Sequence, residues 1–143
     1  WVGMIDALFK GLKKTMSGDY PSLDHIHFVD FRIDGDFKST KSDDGTDALG
    51  RVRLVVENSS GRRFDFESKT LSISASSVDV VVKAVEHFVN AEEAVSKVYE
   101  WIQDAKRRQR PDLAETYTHR LASLVHNSSY SESLERLKAN LGM

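Results

Sequence analysis

The chain has 143 residues, of which 40% are hydrophobic and 29% charged, with 22 acidic against 20 basic side chains and a formal net charge of −2. That length fits one domain with an appended helical element, and so even a charge balance gives no global field to hold a polyanion, so nucleic acid is not expected as a partner. The absence of cysteine excludes disulfides, thiolate nucleophiles and cysteine-based zinc sites, and no apolar run approaches the roughly 18 to 20 residues that cross a bilayer, so a cytoplasmic chain with no membrane partner is the expectation.

The chain opens at Trp1 with no charged leader before an apolar stretch, and is read as a piece of a longer polypeptide. Met4, Ile5, Leu8, Phe9 and Leu12 recur at three and four residue spacing, which predicts a helix with one apolar face, ending at Ser17-Gly18. Asp6 in its first turn and Lys13 and Lys14 in its last complement the helix dipole. Tyr20-Pro21-Ser22 reads as a turn.

From Leu23 to Ile33 the pattern is that of a strand, with Ile26, Phe28 and Asp30 on one face and His25, His27, Val29, Phe31 and Ile33 on the other. Asp34 to Thr46 is a polar loop by composition, and Leu49 to Glu57 returns to a strand pattern. Asn58-Ser59-Ser60-Gly61 supplies residues that tolerate positive φ and predicts a hairpin; Phe64, Phe66, Leu71 and Ile73 mark the third strand. Ser76-Ser77 before Val78, Val81, Val82, Val85 and Phe88 predicts a serine N-cap and a helix. Beyond Asn90 three helical stripes follow, one of them through Leu134, Leu137 and Leu141, with Arg110-Pro111 and Asn127 to Ser131 as the breaks. The expected fold class is α+β.

Two segments are more specific than composition: Gly45-Thr46-Asp47-Ala48-Leu49-Gly50 running into Arg51-Val52-Arg53-Leu54, and Ser77-Val78-Asp79 opening an apolar helix. They resemble the second βββα unit of the C-terminal allosteric domain of the 2-isopropylmalate synthase and citramalate synthase family. Gly3-Met4-Ile5-Asp6-Ala7 and Tyr20-Pro21-Ser22-Leu23 are similar to the helix opening and turn of the family's first unit. The match runs from Gly3 to about Asn90. It implies a βββα-type regulatory domain over residues 1–90 with its first strands missing, and a helical extension over 91–143 outside the resemblance.

The resemblance also implies a homodimer that binds leucine or isoleucine between helix starts, as feedback control over an acyl-CoA-dependent acyltransferase whose catalytic and metal residues lie upstream. Carried over position by position, the effector contacts would be Ile5, Asp6, Leu23, Ile26, Thr46, Ala48, Ala75 and Ser77. A zwitterion suits such a place: free N–H groups at a helix start take the carboxylate and an aspartate takes the ammonium. No cofactor, metal or catalytic residue is expected in this fragment. The family's glycines before each helix are replaced here by Trp1, Ile73 and Ala75. A degenerate domain that only dimerises, or serves protein interaction, is therefore the rival reading.

Other chemistry has weaker footing. His25 and His27 could share a metal only with a third ligand that the sequence does not nominate. Lys106-Arg107-Arg108 with Arg110 is a basic cluster of the kind that ends solvated helices. No Ser-His-Asp arrangement, phosphate-cradling glycine loop or HExxH motif supports an enzyme within this fragment.

Overall fold

The computed structural model describes residues 2–35 and 50–126. In chain order these form α1 (Val2–Met16), a 3-10 turn (Pro21–His25), β1 (His27–Gly35), β2 (Gly50–Glu57), β3 (Arg63–Thr70), α2 (Ile73–Arg107) and α3 (Pro111–His126). The class is α+β: three antiparallel strands in the order β1-β2-β3, with helices on one face. Thr46, Ala48 and the stripe through Leu134, Leu137 and Leu141 lie outside the described residues.

β2 is the central strand and alternates strictly. Val52, Leu54 and Val56 are fully buried, while Arg51 and Arg53 point the other way and pair across strands with Glu67 and Asp65. Arg51 holds the Glu67 carboxyl below its ordinary range. These pairs sit in water and contribute little to stability; they keep that face polar.

β1 departs from the simple alternation expected of it. Phe28 pairs with Val56 but Asp30 pairs with Val55, so Val29 is an extra residue in a β-bulge. The bulge resets the phase, and Phe31 and Ile33, opposite Leu54 and Val52, join Phe28 on the helix-covered face while Asp30 turns outward. Residue counting assigned Phe28 and Asp30 to one face because an inserted residue leaves no mark in a period of two.

The β2–β3 hairpin turns at Asn58 to Gly61. Asn58 Oδ1 accepts from the Ser60 and Arg62 amides, and Gly61 holds φ of +83°, where a side chain would be strained. β3 ends at Thr70, and α2 begins at Ile73 with Ser72 as N-cap, its side chain accepting from the Ala75 amide. The strand expected through Ile73 and the cap expected at Ser76-Ser77 are both displaced: the helix starts several residues earlier, and those two serines are buried within its first turns.

α2 then continues without a break for 35 residues, through the expected divide at 90/91. Its first half carries Val80, Val81, Ala84, Val85 and Phe88 into the main core, with Ile5 and Phe9 of α1, Leu23, Ile26 and the β2 residues. Its second half carries Val95, Val98 and Ile102 into a separate cluster with Leu121 of α3. Between the helices Gln109 takes φ of +55° and Pro111 starts α3, whose far end returns to the sheet where Arg62 donates to the His126 carbonyl at 2.6 Å.

Candidate functional site

The helix starts are the place to look for a small zwitterion, and three contacts fix where they lie. Tyr20, just past the end of α1, donates its hydroxyl to Glu93 at 2.7 Å, and Ser22 donates its hydroxyl to Glu92 at 2.5 Å. The residues of α1 pack with the first half of α2 rather than the second. The two helices therefore run in the same general direction, and both begin at the same end of the sheet.

Gly50 ties the strand layer to that end. A Cβ built on it would lie 2.8 Å from the Ile73 nitrogen and 2.9 Å from the Ile73 Cα, so only glycine lets the start of β2 approach the first turn of α2. Ser76 completes the junction: its hydroxyl donates to the Gly50 carbonyl at 2.6 Å, accepts from the Thr70 amide at 2.9 Å and lies 2.8 Å from the Thr70 hydroxyl. The start of β2, the end of β3 and the start of α2 are thus locked together around one buried hydroxyl.

Among the expected effector residues, Ile5, Leu23, Ile26 and Ser77 are fully buried in the chain as it stands. The Ser77 hydroxyl donates to the Ile73 carbonyl at 2.7 Å, one turn back in its own helix. Asp6 is half-exposed and bridges Lys10 at 2.7 Å, one turn on, while Ala75 is exposed near the α2 start. Thr46 and Ala48 are outside the described residues.

Several apolar residues of α1 and of the first turns of α2 are exposed. Met4 and Val78 are each 45% exposed and Val82 36%, with Ala7, Gly11 and Ala75 also exposed. On another side of α2, Asp79 accepts from Ser68 of β3 and bridges Lys83; the Ser68 hydrogen bond, aided by Lys83, holds its carboxyl below the usual range, and His87 meets the rings of Phe64 and Phe66 tilted and edge-on. Val78 and Val82 are thus exposed one turn apart on α2, followed one turn on by the exposed Glu86.

At the opposite end of the main core, Glu92 is the one acidic side chain among the described residues that is buried, at 6% exposure. Burial pushes its carboxyl above the ordinary range, against the opposing pull of the Ser22 hydroxyl and amide, which hydrogen-bond it, and of His25. Tyr20 is likewise raised, by its hydrogen bond to Glu93. Sequence reading passed over Glu92 and Ser72 because a glutamate on a helix and a serine beside one are unremarkable without knowing what faces them.

The histidines expected to share a strand do not: His25 closes the 3-10 turn and His27 opens β1. Among the described residues no three His, Cys, Asp or Glu side chains converge on a point that would hold a metal, and no helix is long and apolar enough to cross a membrane. No family model matches the chain, and no curated protein or solved structure matches it either.

Proposed function

We propose that this chain is the effector-binding, dimerising regulatory domain of a 2-isopropylmalate synthase-like acyltransferase in the cytoplasm, taking leucine or isoleucine for feedback inhibition. The observation that supports this is the gathering of two helix N-termini and the glycine entry of β2 at one end of the sheet, with Met4 and Val78 exposed in the first turns of the two helices. Helix starts offer amides to a carboxylate, and Asp6 is at hand for an ammonium. Met4, Val78 and Val82 supply the apolar surface by which a second copy would pack and complete the pocket. An effector held between two copies would act by binding two arrangements of the pair with different affinity, a coupling typically of about 1 to 3 kcal/mol.

One observation favours the rival, a domain that dimerises without sensing. Ile5, Leu23 and Ile26 are closed into the core, and Ser77 is already hydrogen-bonded within its helix. Calorimetric titration with leucine, isoleucine and valine separates the two. Saturable heat from one of them, lost in Asp6→Ala, supports sensing. Silence from all three, with a dimer by light scattering, supports the rival, and a monomer that binds nothing defeats both.

A further inference from the structure

β1 has a strand on one side only: β2 lies between it and β3, and among the described residues nothing pairs with its other edge. The hydrogen-bond phase shows what that edge offers. The Asn58 amide donates to the Arg62 carbonyl at 3.0 Å, so Val52, Leu54 and Val56 of β2 exchange hydrogen bonds with β3, and Arg51, Arg53 and Val55 with β1. Asp30, Arg32 and Asp34 therefore turn their amides and carbonyls to β2, and Phe31 and Ile33 turn theirs to the free edge. There the Phe31 amide is met at 2.9 Å by the Asp30 carboxylate of its own chain, which stands where a neighbouring strand would put a carbonyl. The core is open on this side as well. Phe28, Val29, Phe31 and Ile33 are half-buried, whereas Val52, Leu54 and Val56 of the central strand are fully buried.

The order of side chains selects the occupant. Val29-Asp30-Phe31-Arg32-Ile33 reads apolar, acidic, aromatic, basic, apolar, and so complements itself when reversed. Laid antiparallel about a twofold axis at Phe31, one copy sets Phe31 against Phe31 of the second, Arg32 against its Asp30 and Ile33 against its Val29. Acid then meets base on the outer face, where Asp30 and Arg32 lie exposed, and the Phe31 amides and carbonyls face one another. Centred on Asp30 or Arg32, like charges would meet; centred on Ile33, Phe31 would lie against Gly35. The edge of β3 is not equivalent, since Lys83 already donates to the Glu67 carbonyl at 3.4 Å.

We infer that the free edge of β1 is an interaction surface for a second copy of this chain, whose own β1 pairs with it antiparallel about Phe31 and joins the two sheets into one. This contact is separate from the one through Met4, Val78 and Val82 and does not rest on the effector reading. A bulge and a charged pair are also the means by which an edge strand stays single, so association decides between the two roles.

The test is sedimentation velocity of the full chain over a concentration series, with charge reversals at the two exposed positions. Asp30→Arg alone and Arg32→Asp alone should each associate about tenfold more weakly than the parent, because like charges then face each other across the axis. An equimolar mixture of the two variants should regain the parent's association, a repair that an ion pair within one chain could not give. The chain has no cysteine of its own, so the register can be read by disulfide formation. Asp30→Cys mixed with Arg32→Cys should link between chains on mild oxidation, since residues opposite each other at such a pair lie about 4.5 Å apart, and neither variant should link alone. If the Asp30 variants lose strand signal by circular dichroism, the parent decides: exchange of the Phe31 and Ile33 amides should slow as protein concentration rises. Three results would overturn the inference: a parent that stays monomeric up to about 1 mM, a mixture no better than its components, or association that both reversals leave intact, with Val78→Lys then showing whether it lies on the helices instead.

Discussion

One helix serves two regions of this molecule under very different cover. The first half of α2 lies on a sheet and beside α1, and its apolar stripe meets side chains from four other elements. In the second half, among the described residues, the stripe through Val95, Val98 and Ile102 is closed by α3 alone, mainly by Leu121, with Tyr117, Leu124 and Val125 at the edges. Helical stability in water comes mostly from such packing. The sheet-backed half should therefore be the last part to unfold and the arm the first, although no break in the backbone separates them.

The contrast can be broken most forcefully at Phe88, which is fully buried where α2 meets Phe64 and Phe66. Phe88→Ala should cost about 3 to 5 kcal/mol and bring down the whole described fold, read as a large fall in the urea midpoint. Leu121→Ala should cost about 2 kcal/mol but act on the arm alone: amide exchange should quicken along residues 95–121 while the sheet amides keep their protection. Uniform acceleration throughout the chain would show that the two regions are a single cooperative unit.

Gly50→Ala probes the junction from the strand side. The added methyl meets Ile73 backbone at under 3 Å, so the expected cost is about 1 to 3 kcal/mol with the α2 start displaced, seen in the same urea transition. Ser72→Ala removes the cap and should cost about 0.5 to 1 kcal/mol, with fraying confined to the first turn of α2.

The smallest effect is expected at Glu92, on the boundary between the regions. Its carboxyl is raised in the folded state, so the stability it contributes is present below the ordinary carboxylate pKa and is lost as pH rises through the raised value. Glu92→Gln should therefore be slightly more stable than the parent at neutral pH, by under about 1 kcal/mol, and the difference should vanish in acid. Thermal melts at a series of pH values would read it; a variant less stable at neutral pH would mean that the charged hydrogen bonds to Ser22 outweigh burial.

Much of the fold could be read ahead of the structure where one residue type decides the local geometry. The turn at Asn58 to Gly61, the start of α3 at Pro111 and the apolar spacing of α1 each rest on a steric or periodic rule that neighbours do not override. The start of α2 was misplaced because Ser72, Ser76 and Ser77 are all competent caps, and the choice among them is made by Gly50, far away in sequence, whose approach buries Ser76. The Val29 bulge was invisible for a similar reason, since it exists only in relation to β2.

The site was less legible than the fold. Ile5, Leu23 and Ile26 are the residues that would line an apolar pocket, but the same residues make an ordinary core, and only burial tells the two apart. Asp6 illustrates the same ambiguity among polar groups: its place in a first turn suits a ligand's ammonium, the helix dipole and the Lys10 ion pair alike. The exposed Trp101 in the arm carries no sequence signal, because it falls at helical spacing with the buried Val98 and next to the buried Ile102.

The unbroken run of α2 makes it a lever with its fulcrum near Glu92. Thirty-five residues span about 50 Å, and no glycine or proline interrupts them to absorb a bend. A rigid tilt of about 5° around that fulcrum would sweep Arg107 through about 2 Å, comparable to the helix shifts by which subunit interfaces switch. A tilt of the helix as one body would therefore displace its first turn at Gly50 and its far end together, with no relay of side chains required.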